Sequence, residues 1–128
     1  MKINLPTYFF GLMFFASLLI GNSAWAQVQG RIGSENYLYV NDRVWVSHVY
    51  PNPALDFVDI DFQIASSVRE VKLTFYNVLG QEVKEVVLEK DQKSTHVLLR
   101  ELNSGMYMYQ LSIDGRSVAT KKLIVRKQ

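Results

Sequence analysis

Cysteine is absent from the sequence. That removes disulfides, thiolate metal sites, thiol nucleophiles and a lipidated cysteine anchor at once. Glycine and proline are sparse, at seven and three residues, while aromatic side chains make up 12% of the chain, a balance that argues against disorder and low-complexity repeats. An excess of charge of either sign is missing too: 14 Lys and Arg stand against 12 Asp and Glu, a formal net charge of +2. With no basic run and no acidic tail, nucleic acid is not an expected partner. Long stretches of helical periodicity are lacking as well. At 128 residues the chain suffices for one modest core and is short for two.

What is present begins with an address. Lys2 supplies a positive start, Tyr8 to Ile20 is an apolar run, and Ala24-Trp25-Ala26 has the small-x-small pattern of a signal-peptidase site. Residues 1–26 are therefore read as a signal peptide cleaved after Ala26. The alternative is a retained membrane anchor, for which the run is short against the roughly 20 residues a spanning helix needs. An exported, nearly neutral, cysteine-free domain fits the periplasm or surface of a bacterium.

Residues 27–48 form a short segment with two β-rich runs, Tyr37-Leu38-Tyr39-Val40 and Val44-Trp45-Val46, separated by Asn41-Asp42-Arg43. The spacing predicts a hairpin, with Tyr39 and Trp45 as its packing groups and sugar binding by those rings as the sharper alternative. Lone hairpins are barely stable in water, so this one either packs on the domain after it or stays mobile.

Val49-Tyr50-Pro51-Asn52-Pro53-Ala54-Leu55-Asp56 comes next, and prolines at alternate positions forbid both helix and central strand there. This is a rigid corner opening the main domain, residues 49–128, with the Tyr50 ring available to pack. From Asp56 onward the pattern has a period of two. Val58, Ile60, Phe62 and Ile64 share one face of a strand, and Val71, Leu73 and Phe75 share a face of the next. Gly80 suits the left-handed position of a short hairpin loop, and Leu102-Asn103-Ser104-Gly105 repeats that chemistry. Between Gln81 and Glu89 the apolar phase reverses, which a β-bulge near Glu85 would reconcile. Val97 and Leu99 mark a further strand. Tyr107, Tyr109, Leu111 and Ile113 then face one way and Met106, Met108, Gln110 and Ser112 the other. Asp114-Gly115 is a strong two-residue hairpin signal, and the strand after it, Arg116 to Arg126, is lysine-rich like a guarded sheet edge. Its inward face does not follow from the pattern. Together these give about seven strands, the signature of an immunoglobulin-like antiparallel β-sandwich.

The chemistry-bearing residues are few. Asp56, Asp59 and Asp61 suggest calcium, but strand alternation lines Asp59 and Asp61 along a solvated face without a wrapping loop, and they read as exposed carboxylates. His48 and His96 lack ligand spacing. Ser104 with His96 resembles a hydrolase pair only superficially, and a turn serine is the simpler account. Met106, Met108 and Leu98 are a candidate adaptable apolar patch, unless a neighbouring segment covers them. No catalytic residue, metal site, cofactor or small-molecule substrate is expected.

The ordered series Val49-Tyr50-Pro51-Asn52-Pro53-Ala54, Val58-Asp59-Ile60, Phe75 to Val83 with Asn77-Val78-Leu79-Gly80 at its centre, Leu102-Asn103-Ser104-Gly105-Met106-Tyr107 and Lys121-Lys122-Leu123-Ile124-Val125 resembles the C-terminal sorting domain of type IX secretion substrates, in its type A form. The resemblance covers about residues 49–127. It implies a secretion signal made of folded protein, recognised by the outer-membrane translocon, often removed by a sortase that joins the cargo to an anionic lipopolysaccharide. On that resemblance Pro51, Asn52 and Pro53 mark the opening corner, Gly80 and Gly105 two turns, and Tyr107 the start of the strand after the second. Lys121, Lys122, Ile124, Val125, Arg126 and Lys127 mark the terminal segment on which translocation depends. Family members carry a large cargo ahead of the domain, whereas only Gln27 to His48 stand there in this sequence. Three readings are open: a minimal sorting-domain protein exported to the surface or medium, a periplasmic module or relay docking on the same machinery, and a small surface adhesion or structural domain.

Overall fold

The computed structural model describes residues 36–128. The expected leader, with its Ala24 and Ala26 cleavage motif, lies outside the described residues. Eight strands run in order: β1 Tyr37–Val40, β2 Val44–Ser47, β3 Phe57–Ile64, β4 Val71–Tyr76, β5 Glu82–Val87, β6 Ser94–Leu98, β7 Gly105–Ile113 and β8 Arg116–Val125. They form two antiparallel four-stranded sheets, β1-β2-β3-β6 and β5-β4-β7-β8. The β2-β3-β6 and β4-β7-β8 neighbours, with the chain crossing between sheets after β3, β5 and β6, give the immunoglobulin-like sandwich that the alternation predicts.

Period-two patterning places the core where it was expected. Val58, Ile60 and Phe62 of β3 meet Leu73 and Phe75 of β4 and Tyr109 and Leu111 of β7, all fully or almost fully buried. Phe75 and Tyr109 pack at tilted ring planes with centroids 6.3 Å apart. Tyr107, at the start of β7, is buried, and its hydroxyl donates to the Asn103 carbonyl at 2.8 Å. This is the tyrosine-corner arrangement of immunoglobulin-like domains, with an apolar ring in the core and a satisfied hydroxyl at the rim.

The predicted hairpin forms, and it packs. β2 pairs with β3, Val44 against Ile64 and Val46 against Phe62. Leu38, Val44 and Val46 are buried with the core residues of the later strands. Each such side chain stabilises by about 1.5–3 kcal/mol on burial, more than an isolated hairpin commands. Trp45 does not serve as an inward packing group. Being opposite Gln63 on β3, it faces out, donates its ring N–H to the Gln63 side-chain oxygen at 3.2 Å and meets Tyr37 edge-on. Tyr39 is partly buried against the core.

Two bulges decide faces that the pattern left open. In β5 the register steps from Phe75 opposite Lys84 to Tyr76 opposite Glu82, so the expected bulge is present, with Val83, two residues before Glu85, as the extra residue. That insertion lets Val83 and Val86, of opposite parity, both lean on the core. In β8 the register steps from Ser112 opposite Ser117 to Leu111 opposite Ala119, leaving Val118 as the extra residue. Beyond it, Leu123 and Val125 point inward and are buried.

Turn chemistry agrees with the residues that carry it. Asp114 and Gly115 sit at φ 49° and 81°, the left-handed pair of a tight hairpin, and Gly80 at φ 78°. Gly105 differs from the expected repeat of Gly80: at φ 159° it opens β7 opposite Val125, close to extended backbone. Asp114 also ties its turn to the loop before β4. Its carboxylate accepts the backbone N–H groups of Arg69 and Glu70 at 2.8 and 2.9 Å, and these bonds, that from Glu70 first, hold its pKa below the ordinary carboxylate value.

Gly80→Ala is expected to destabilise the domain by about 1–2 kcal/mol in urea unfolding, because a Cβ there meets no atom within 4 Å and the cost is that of the left-handed backbone alone. Asp114→Asn keeps the turn and an acceptor atom but loses the charge. Since the folded pKa is depressed, the carboxylate's stabilisation is complete above the unfolded value and is lost as pH falls through the folded one. Melting curves of wild type and variant should therefore separate near neutral pH and converge as pH falls below the ordinary carboxylate range; a constant separation would refute the linkage.

Candidate functional site

The proline corner and the terminal strand, far apart in sequence, meet side by side. Tyr50 exchanges backbone hydrogen bonds with Asp59 of β3, at 2.9 and 2.6 Å. Four residues on, the Ala54 N–H donates to the Ile124 carbonyl at 2.7 Å and the Arg126 N–H donates to the Ala54 carbonyl at 2.8 Å, a short parallel pairing with the end of β8. Asn52 completes the clamp. Its side-chain amide donates to the Lys122 carbonyl at 2.9 Å and its oxygen accepts the Ile124 N–H at 3.0 Å, so one side chain satisfies a donor and an acceptor on an edge strand.

Proline suits the positions between these contacts. Pro51 and Pro53 are exposed, have no N–H to leave unsatisfied, and restrict the chain to the turn that carries Asn52 outward along β8. Both X–Pro bonds, Tyr50–Pro51 and Asn52–Pro53, are cis. Ala54 is fully buried where the corner meets the core. The Tyr50 ring is not packed as expected. It is 45% exposed, and its hydroxyl donates to both carboxylate oxygens of Asp61 at 3.0 and 2.9 Å. That hydrogen bond is the main reason its pKa is raised. Val49, just before the corner, is buried, and its backbone beside the Tyr109 hydroxyl partly offsets the rise in pKa that burial causes there.

The terminal segment is divided by strand alternation. Leu123 and Val125 are in the core, whereas Lys122, Ile124 and Arg126 point away from it. Lys121 is exposed opposite Tyr109. Lys127 is held against the turn before β7, its N–H donating to Ser104 Oγ at 2.9 Å and its ammonium to the Arg100 carbonyl at 2.6 Å. The clamp thus brings Asn52 to Lys122 and Ile124, and Ala54 to Ile124 and Arg126. Gly80 and Tyr107 flank a different feature, an open groove of about 430 Å³ on the outer face of the second sheet.

Tyr76, Val78, Met106 and Met108 also line that groove. The expected patch of Met106, Met108 and Leu98 is not one surface. Leu98 lies opposite Phe57 in the first sheet, while Met106 and Met108 belong to the second. The methionines instead adjoin the terminal strand, Met106 opposite Ile124 and Met108 opposite Lys122. Counting back from the Asp114–Gly115 turn misses this, because the Val118 bulge moves the register by one residue.

The carboxylates and histidine serve the surface of the first sheet. Asp59 pairs with His96 at 2.7 Å, and the His96 ring lies 4.4 Å from that of Phe57. Ser104 Oγ is engaged by Lys127. Lys84 hydrogen-bonds Glu101 and thereby lowers its pKa. Among the described residues no three His, Asp or Glu side chains converge to hold a metal ion.

A family model, that of the secretion system C-terminal sorting domain, matches residues 48–126. The chain belongs to that family. The match begins just before the proline corner and ends at Arg126, so it encloses both halves of the clamp. Type IX sorting domains are not an enzyme family, and membership implies export to the cell surface or extracellular space through interaction with the secretion machinery. The comparison with curated proteins gave no match. Among solved structures, the BSP domain of a biofilm associated protein is similar at a TM-score of 0.48 and 10% identity, over 64% of this chain and 15% of that one.

Asn52→Ala is expected to cost about 1 kcal/mol, two hydrogen bonds at the low end of their net worth because the site is exposed. Amide exchange at Ile124 should quicken selectively while Leu111, in the middle of β7, keeps its protection; equal protection of Ile124 in both proteins would show that the clamp does not hold the strand.

Proposed function

We propose that the sandwich is a folded sorting signal, recognised by the outer-membrane translocon of a type IX system and directed through it to the surface or medium. The observation that carries this reading is the coincidence of the family match with the corner-and-strand clamp. The residues that the resemblance marks at the two ends of the domain, Asn52 and the segment from Lys122 to Arg126, are bonded to each other.

A partly covered edge suits a signal that is handled by other proteins. β8 ends the second sheet, and an unblocked edge there would pair with any passing strand. With the corner in place, the terminal strand is displayed without being free to aggregate. Transit begins with removal of residues 1–26 and passes through the periplasm. Processing by a sortase and attachment to an anionic lipopolysaccharide would come after recognition, and no residue of this domain contributes catalysis to either step.

The full chain, expressed in cells with and without a working type IX translocon, tests this by fractionation and intact-mass measurement. It is expected at the surface or in the medium only when the translocon works, and in the periplasm otherwise. Equal distribution in both strains would overturn the reading. Periplasmic retention in both, together with co-purification of translocon components, would instead identify a docking module.

A further inference from the structure

Resting on the sorting-signal reading, we infer that the partner reads the outward side chains of two adjacent strands, β7 and β8, in the folded domain, and not the terminal strand as a linear peptide. The surface is made by Met106, Met108 and Ile124 with Lys122 and Arg126 at its rim. Its occupant is a protein surface that offers an apolar patch flanked by carboxylates.

Elimination supports this. A strand can be recognised through its inward side chains, its backbone edge or its outward side chains. The inward residues of the terminal segment, Leu123 and Val125, are fully or almost fully buried in the core. The backbone edge is occupied: Lys122 and Ile124 carbonyls and Ile124 and Arg126 N–H groups are taken by Asn52 and Ala54. Strand addition at this point would require the corner to be displaced first. The outward side chains remain.

Those side chains form a continuous surface across the two strands. Met106 lies directly opposite Ile124 and Met108 opposite Lys122, and directly opposed residues on one face of an antiparallel pair touch. Met106 is 44% exposed and is the apolar side chain of β7 that is most open to solvent. Tyr76 and Val78 extend the apolar lining into the groove beside Met108. Methionine gives an adaptable contact surface, suited to a receptor that accepts one signal on many cargoes.

Charge selects the partner. None of the ion pairs among the described residues involves Lys122 or Arg126. These cations flank Ile124, one on either side of it along the same outward face. They complement carboxylates at the edge of an apolar patch and repel a cationic one. A lipid surface would suit the charges, but the methionines form a groove and not a protruding apolar ridge.

The full chain is the test molecule, and the exported fraction in translocon-positive cells is the readout. Met108→Glu and the double change Lys122→Glu with Arg126→Glu are each expected to lower it about tenfold or more, with melting temperatures that show a folded domain. Val87→Glu, on β5 at the far edge of the same sheet and as exposed as Met106, should export as wild type. Undiminished export of folded Met108→Glu overturns the inference, as does undiminished export of the charge-reversed variant if Met108→Glu fails to fold. Loss of export by Val87→Glu as well would overturn it by showing a general sensitivity to charge. Failure of the sorting-signal reading itself appears elsewhere, as wild-type export in cells without the translocon.

Discussion

Five residues, Tyr50 to Ala54, hold the two sheets in register with each other. Tyr50 is paired to β3 in one sheet and Ala54 to β8 in the other, with Asn52 bonded to the β8 backbone between them. Two prolines make this possible at low entropic cost, because they restrict the unfolded chain as well as the folded one. The consequence is an edge strand whose last residues have no free backbone to offer. Closure of the sandwich and presentation of the terminal segment are thus one event: the segment has its outward face on display only when Leu123 and Val125 have entered the core.

Several of the domain's ionisable groups are engaged within the fold: Asp114 pins a hairpin to a loop, Asp61 receives the Tyr50 hydroxyl, Asp59 faces His96 and Glu101 faces Lys84. None of these is deeply buried or aimed into an enclosed cavity with a second reactive group. A sandwich of this kind hosts many roles, and in this one the terminal strand has its inner face buried, its edge clamped and its outer face apolar at the centre and cationic at the rim.

The family match and the clamp span the same stretch of chain. The matched region, residues 48–126, starts beside one half of the clamp and stops at the other. Tyr107 belongs to a different part of the design. Buried, with its hydroxyl on the Asn103 carbonyl, it sets the start of β7 and so the position of Met106 and Met108, which makes its contribution to any recognised surface indirect.

The amino-acid pattern alone determined the class of fold, because one-sided burial of a strand forces alternation, which β3 and, from Tyr107, β7 obey residue by residue and β4 breaks only at the buried Thr74. It also located the corner and the Asp114–Gly115 turn, where only a few residue types tolerate the backbone. Three features were decided by the tertiary structure. The hairpin of β1 and β2 became part of a sheet because β3 had an unpaired edge and the core had room for Leu38, Val44 and Val46. The corner met β8 because a contact across some seventy residues of sequence leaves no local trace. Which terminal side chains point outward was set by one inserted residue, Val118: in a strand a shift of one exchanges the faces, and a bulge forms where packing against the other sheet favours it, a choice no single strand's sequence contains.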